Sequence, residues 1–154
     1  MRFNIISDLY KGAWGGGNQF QKALKNYFIS NFTYSFDVKA ADVILVNSHH
    51  WGKKLFELYR IKKKNPNVII LHRLDGPISI VRNNNKEIII DLAIMHFNKV
   101  FADGTIYQSI WSQDNCLEQG MDFKKMNKVI YNAPDPKIFF KTTETFRNNK
   151  IHII

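Results

Sequence analysis

Seven residues, ADVILVN from Ala41 to Asn47, decide the fold. A continuous apolar run of this kind is typical of a strand buried on both faces, as in a parallel sheet covered by helices. On either side of it, strand-like runs alternate with segments of helical periodicity. This alternation predicts an α/β fold, a Rossmann-like, doubly wound parallel sheet with helices on both faces.

The alternation extends through most of the chain. Strands are predicted at Arg2–Ser7, Ala41–Asn47, Val68–Leu71, Gly104–Gln108 and Lys128–Tyr131, with a weak extended stretch at Thr33–Phe36. Helices are predicted at Asn18–Phe28, Trp51–Lys63, Lys86–Phe97 and Ser109–Gln119, although Ile88–Ile90 also fits a strand. A loop is predicted at His72–Pro77, and Ser109 and Gly120 have the residue types that begin and end a helix.

A glycine cluster, KGAWGGGNQF from Lys11 to Phe20, separates the first strand from the first helix. Glycine lets a ligand approach the main chain closely, and the N–H groups that begin a helix suit a phosphate. The cluster lacks the residues of a P-loop and the spacing of a dinucleotide fingerprint. An ordinary turn is the alternative, but consecutive Gly15, Gly16 and Gly17 exceed what a turn needs, so ligand contact is favoured.

Other segments share the candidate functional edge of the sheet. Ligands of doubly wound sheets collect beyond the carboxyl ends of the strands. This rule places five segments at or near that edge: KGAWGGGNQF, NSHHW, HRLDGP, ADG and NAPDP.

Composition indicates one basic domain. The chain has 154 residues, and no apolar run approaches the roughly 20 residues that span a bilayer. No secretion signal is recognisable, and the single Cys116 cannot form an internal disulfide, so we expect a cytoplasmic protein with a core cysteine. The net charge of +9 favours an anionic partner: nucleic acid, an acidic membrane surface or a phosphorylated substrate. The cluster Lys62–Lys64 also suits the end of a helix.

Six segments, taken in order, resemble the N-terminal half of family 4 glycosyltransferases: RFNIIS, GGGNQF, ADVILVNSHHW, VIILHRLDGP, ADGTIYQSIWSQDNCLEQGM and KVIYNAPDPKIFF. The resemblance runs from Met1 to about Phe140. It implies the GT-B architecture, in which two Rossmann-like domains face each other across a cleft. It also implies transfer of a sugar from a nucleotide-sugar co-substrate, with no metal or other cofactor expected.

The resemblance assigns roles to individual residues. The glycines Gly15–Gly17 correspond to the family's loop against the donor diphosphate. His72 corresponds to a histidine near the transferred sugar, and Ser109 lies near the cleft. The segment NAPDPKIFF corresponds to a stretch that usually reads Asn-Gly-Val-Asp, so Ala133 departs from the usual glycine and puts the turn geometry there in question.

Catalytic roles are assigned to His72 and Asp75. His72 could donate a hydrogen bond to a sugar hydroxyl, and Asp75 could accept a proton or hydrogen bond from an acceptor hydroxyl. A strand-end contact for His72 and a turn role for Asp75 are the structural alternatives. His49, His50 and Arg73 are assigned to the acceptor side of the cleft. Adjacent histidines in a strand point to opposite faces, so His49 and His50 are expected in a loop and not as one metal site.

The family's C-terminal domain, which supplies most of the donor site, has no counterpart in this sequence. We expect an acceptor-side domain at 1–140, and a linker with the start of a truncated second domain at 141–154. The half-site should bind a carbohydrate or lipid-linked acceptor and one face of the donor phosphates. A C-terminal domain or partner chain would be needed for transfer, and the charge is compatible with peripheral membrane contact.

Two other interpretations stay open. A module that binds anionic ligands, nucleic acid or a membrane surface would explain the charge and predicts affinity that falls with salt. Nucleic acid is not an expected partner, because the chain carries no basic-aromatic motif of a nucleic-acid reader. A self-sufficient Rossmann-like enzyme would explain the glycines but should carry a complete cofactor fingerprint, which is absent.

Overall fold

The structure is a computed structural model that describes residues 1–7, 9–11, 16–47, 53–121 and 126–132. Its strands lie in one parallel sheet in the spatial order β1 Phe3–Ile6, β2 Val43–Asn47, β3 Ile69–Leu74, β4 Gly104–Tyr107 and β5 Met126–Val129. The α-helices of the described residues are α1 Gly16–Ser30, α2 Lys53–Lys64, α3 Ile78–Val81, α4 Ile88–Phe101 and α5 Ile110–Glu118. Short 3-10 helices occur at Val38–Ala40 and Asn85–Glu87.

The direction in which the chain adds strands to the sheet reverses at β1. On the side away from β2, Tyr34 forms a parallel bridge with Phe3. The Phe3 amide donates to the Thr33 carbonyl at 2.7 Å, and the Ser35 amide donates to the Phe3 carbonyl at 2.7 Å. The chain therefore leaves β1 towards Tyr34 and returns to β2 on the opposite side. The predicted Rossmann-like, doubly wound fold is confirmed. The weak extended stretch predicted at Thr33–Phe36 forms a single β-bridge, through Tyr34.

Helices cover both faces of the sheet. Successive strand residues point to opposite faces, so each strand contributes to two packing layers. On one face, Leu58 of α2 and Phe97 of α4 pack in a cluster with Ile44 of β2. On the other face, Phe28 of α1 stacks on Phe3 of β1 with ring centroids 4.4 Å apart. Each such buried side chain stabilises the fold by roughly 1.5–3 kcal/mol, which is enough to fix the helices on the sheet.

A second core cluster joins α4 and α5 to the carboxyl ends of β3 and β4. It contains Leu74, Ile94, Tyr107, Cys116 and Met121. Burial raises the pKa of the Cys116 thiol to about 12, with a further contribution from the charge of Asp91. The cysteine therefore occupies the predicted core position, where its thiol is unreactive.

The helix termini follow their sequence signals. Ser109 Oγ accepts a hydrogen bond from the Ser112 amide at 3.0 Å and caps α5, as predicted. Gly120 has a φ of 88°, the left-handed backbone expected of a helix-ending glycine. The ambiguous segment Ile88–Ile90 is the first turn of α4, so the helical alternative is the right one.

Strand β3 is longer than predicted. His72 pairs in register with Val46, and Arg73 pairs with Asn47, so both residues lie inside the strand and not in the expected loop. Because neighbouring strand residues point to opposite faces, this extension separates the side chains of His72 and Arg73.

The segment ADG lies at the amino edge of the sheet, so its predicted place near the functional edge is wrong. Gly104 begins β4, as predicted, so the segment precedes this strand and lies at its amino end, not at its carboxyl end. There the Asp103 carboxylate accepts hydrogen bonds from the Ile70 amide at 2.8 Å and from Lys62 Nζ at 2.8 Å. Asp103 and one lysine of the basic cluster thus join α2 to the start of β3.

Candidate functional site

Polar side chains converge on Arg73 at the carboxyl edge of the sheet. Arg73 lies near the end of β3, on the face covered by α1. Asn47 ends β2, whereas Gln108 and Asn132 follow β4 and β5. Together with Asp75, which follows β3, these residues form what we call the Arg73 cluster.

The guanidinium of Arg73 holds the cluster together. Its Nη1 donates to Asn47 Oδ1 at 2.7 Å and forms an ion pair with Asp75. Its Nη2 donates to Gln108 Oε1 at 3.1 Å and to Asn132 Oδ1 at 2.8 Å. Gln108 also donates through Nε2 to the Asp75 carbonyl at 2.8 Å. One cation therefore joins the carboxyl ends of β2, β3, β4 and β5.

Arg73 positions its neighbours and is itself covered. Its side chain is 0% exposed, and the Phe20 ring lies 4.9 Å from the guanidinium carbon. A buried charge is stable only with good partners, and Nη1 and Nη2 have them, whereas Nε has none among the described residues. Solvent reaches the cluster at Asp75, whose side chain is 33% exposed, at the partly buried Gln108 and at the exposed Asn132.

Gly16 and Gly17 begin α1 directly beside the cluster. A Cβ atom added to Gly17 would lie 3.8 Å from Arg73 Nη1 and from Asp75 Oδ2. One added to Gly16 would lie 3.6 Å from Asn132 Nδ2. These are ordinary contact distances, and both residues belong to the helix, so no described neighbour requires glycine at either position.

Gly76, by contrast, is required by its own surroundings. Its φ is 105°, and an added Cβ would lie 2.6 Å from Cζ3 of Trp111. The Trp111 ring on α5 thus packs against the turn that follows Asp75.

His72 lies on the opposite face of the sheet, which argues against the catalytic role assigned to it. Its side chain is completely buried and packs edge-on against Phe97 of α4, with ring centroids 4.8 Å apart. Asn98 Nδ2 lies 3.2 Å from His72 Nδ1 and also donates to Thr105 Oγ1 at 2.8 Å. Burial lowers the pKa of His72 from 6.5 to about 3, so the imidazole is a neutral part of the core.

The structure places some of the remaining predicted site residues in the Arg73 cluster and others elsewhere. Arg73 and Asp75 are brought together with Gly16 and Gly17. Ser109 is partly buried and its hydroxyl caps α5. Three further residues, Gly15, His49 and His50, lie outside the described residues.

Three members of the Arg73 cluster were not singled out from the sequence: Asn47, Gln108 and Asn132. Each is a polar residue at or just after the carboxyl end of a strand, which is the signal that could have found them. Phe20 lies in the predicted helix Asn18–Phe28 but was given no role in the site, because stacking on a cation from another element leaves no local pattern.

No family model, curated protein or solved structure matches this chain. The resemblance to family 4 glycosyltransferases therefore stays a prediction from the sequence motifs. Within the described ranges, no three His, Cys, Asp or Glu side chains are grouped as a metal site would need. No helix in that part of the chain has the length and apolar character needed to cross a membrane.

Proposed function

We propose that this chain is the acceptor-side, Rossmann-like domain of a GT-B glycosyltransferase that uses a nucleotide-sugar donor. The observation that carries the proposal is that Gly16 and Gly17 lie next to the Arg73 cluster at positions where an added Cβ would make only ordinary contacts. Because the described protein does not require glycine there, we attribute the two glycines to close approach by a ligand.

The ligand that suits this place is a phosphate group. The first N–H groups of a helix have no partner within the helix, and the helix dipole is positive at that end. Helix α1 has no acidic residue in its first turn to occupy these groups. Its start is held in place by Asn18, whose side chain exchanges two hydrogen bonds of 3.1 Å with the backbone of Tyr10.

The neighbouring side chains fit sugar transfer. When the sugar–phosphate bond breaks, negative charge grows on the leaving diphosphate, and amides of Gly16 and Gly17 would stabilise it. The acceptor hydroxyl attacks the anomeric carbon, and Asp75 would accept the proton that this hydroxyl loses. Asn132 can both donate and accept hydrogen bonds with sugar hydroxyls. His72 has no part in this scheme.

A second Rossmann-like domain would complete the site. In this proposal it belongs to the same protein or to a partner chain, and it binds the nucleotide of the donor. The described half-site would then bind the diphosphate weakly when it is alone.

Amide NMR of the ¹⁵N-labelled chain tests the proposal. We would titrate it with UDP-glucose, GDP-mannose and inorganic pyrophosphate, and expect the largest shift changes at Gly16 and Gly17. Gly17→Ala should weaken binding at least about tenfold, because the methyl group fills the space that the phosphate needs. Ser30→Ala, at the exposed far end of α1, is the matched control and should bind as the wild type does.

Two results would contradict the proposal. One is shift changes that concentrate at Lys62–Lys64 and are unaffected by Gly17→Ala, which would favour a module that binds anionic surfaces. The other is the absence of any response at α1 to all three compounds.

A further inference from the structure

The first half of helix α4 is apolar on the side that faces away from the sheet. Its inner side packs Ile94 and Phe97 in the core. The outer side of its first turns exposes the large apolar residues Ile88 (45%), Ile89 (77%) and Leu92 (55%). Val100 (54%) is exposed further along, and the exposed His96 and Lys99 lie between it and Leu92. A helix on a protein surface normally has a polar outer side, and an apolar one points to a contact surface.

Helix α3 enlarges this surface. Ile80 is 42% exposed and Val81 is 64% exposed. The short helix is fixed beside α4 because the buried Asp91 carboxylate accepts hydrogen bonds from the Ile78 amide at 2.7 Å and the Ser79 amide at 2.9 Å. We call the exposed apolar residues of α3 and α4 the α3–α4 patch.

The exposed charged side chains beside the patch are cations. Arg82 and Lys86, between the two helices, are exposed, and Lys99 is exposed near the end of α4. The acidic groups are withdrawn: Asp91 is buried, and Glu87 has a side chain only 18% exposed and pairs with Arg82 at 3.2 Å. An apolar surface bordered by cations is complementary to a bilayer with anionic headgroups.

A second copy of the chain fits this patch less well. In a twofold interface the same surface meets itself, so the exposed cations beside the patch of one copy would face a surface bordered by the same cations. The net charge of +9 adds long-range repulsion between copies.

We propose that the α3–α4 patch docks the protein on an anionic lipid bilayer. Helix α4 lies along the surface, Ile89 and Leu92 enter the boundary between headgroups and acyl chains, and Lys86 contacts the phosphates. Since α3 follows closely after Asp75 in the chain, docking would also hold the Arg73 cluster near the headgroups. The inference concerns a surface separate from α1 and does not depend on the proposed sugar transfer.

Co-sedimentation with vesicles, without any nucleotide sugar, tests this proposal. We expect the full chain to bind vesicles of phosphatidylcholine and phosphatidylserine, and to bind pure phosphatidylcholine at least about tenfold more weakly. Ile89→Asp should lower the partition coefficient at least about tenfold, because it removes an inserted side chain and adds a repelled charge.

Phe32→Asp is the matched control for Ile89→Asp. Phe32 is 96% exposed just after α1, and its φ of 56° is one that aspartate tolerates. The control makes the same change in net charge away from the patch and should leave partitioning within about threefold of the wild type. Lys86→Gln should cost about fivefold, and Lys63→Gln, at the end of α2, should cost clearly less.

Three outcomes would overturn the proposal. The first is no binding of the wild type to anionic vesicles. The second is an equal loss for Ile89→Asp and Phe32→Asp, which would indicate unspecific charge attraction. The third is a dimer in sedimentation velocity that Ile89→Asp dissociates, which would assign the patch to a second copy. Circular dichroism of each variant confirms that these losses do not come from unfolding.

Discussion

Replacement of Arg73 by methionine removes the centre of the cluster at the carboxyl edge while keeping a long side chain over Phe20. We expect Arg73→Met to fold, to be clearly less stable, and to lose the fixed arrangement of Asp75 and Asn132. The perturbation is informative because Arg73 is completely buried and its partners differ in exposure.

The size of the loss follows from those partners. Asn47 is 6% exposed, so its Oδ1 would be left buried without a donor, at a cost of about 1–3 kcal/mol. Asp75 is a third exposed and can recover water, as can Gln108 and Asn132, so they add little. Loss of the cation beside Phe20 adds about 1 kcal/mol. The total is about 3 kcal/mol, a large part of the roughly 5–15 kcal/mol of a typical domain.

Urea unfolding followed by circular dichroism measures this loss. A decrease of about 3 kcal/mol corresponds to a fall in Tm of roughly 6–12 °C for a chain of this size. The double variant Arg73→Met, Asn47→Leu provides the control, since removing both partners should recover about 1 kcal/mol relative to Arg73→Met. In the wild-type background, Asn47→Leu should instead destabilise. Equal effects of Asn47→Leu in both backgrounds, or a loss below about 0.5 kcal/mol for Arg73→Met, would refute the reasoning.

Three further predictions concern single residues. Gly17→Ala should raise the free energy of unfolding by about 0.4–1 kcal/mol, because the helical backbone there accepts a methyl group; a decrease in urea unfolding would show a clash. His72 is held neutral in the folded state with a pKa near 3, against 6.5 normally, so folding stability should be complete above about pH 6.5 and should fall as the pH decreases towards 3. The loss should be about 1.4 kcal/mol per pH unit, and His72→Leu should flatten the slope between pH 6 and 4; an unchanged slope would contradict it. Gly76→Ala should destabilise the fold by about 2–4 kcal/mol. Gly120 has a similar φ but no atom within 4 Å of an added Cβ, so Gly120→Ala should cost only about 1 kcal/mol. Equal losses for the two variants would mean that the Trp111 ring moves aside without a cost in free energy.

The order of the strands and of the four longer helices could be predicted because each carries its own local pattern, whereas the four-residue α3 was missed. The run Ala41–Asn47 could only be a covered strand, and Ser109 and Gly120 have side-chain chemistry that marks a helix start and end. The ends of β3 and β5 could not be placed in this way. Polar residues such as His72 and Arg73 end a hydrophobic pattern even when pairing with β2 keeps them in the strand.

The observed length of β3 changes which residues belong to the candidate site. Once β3 extends to Leu74, the side chains of His72 and Arg73 point to opposite faces, so only one of them can reach the site. From the sequence, both residues are assigned to the site, because no sequence feature indicates which of the two side chains faces it. The carboxyl-edge rule correctly gathered the segments that contain Asn47, Arg73 and Asn132, but the hydrogen bonds among them depend on strand register, which no short segment contains.

Because Cys116 is buried, the rate at which its thiol is modified measures local unfolding of the protein. It is the chain's single cysteine, it is 5% exposed, and burial raises the pKa of its thiol to about 12. A maleimide added to the native protein can therefore react only with molecules in which α5 has separated from the sheet. The rate of modification, followed by mass spectrometry, gives the free energy of that separation without an engineered label. A ligand or membrane surface that stabilises the fold should slow the modification of Cys116, and the size of this decrease in rate identifies it.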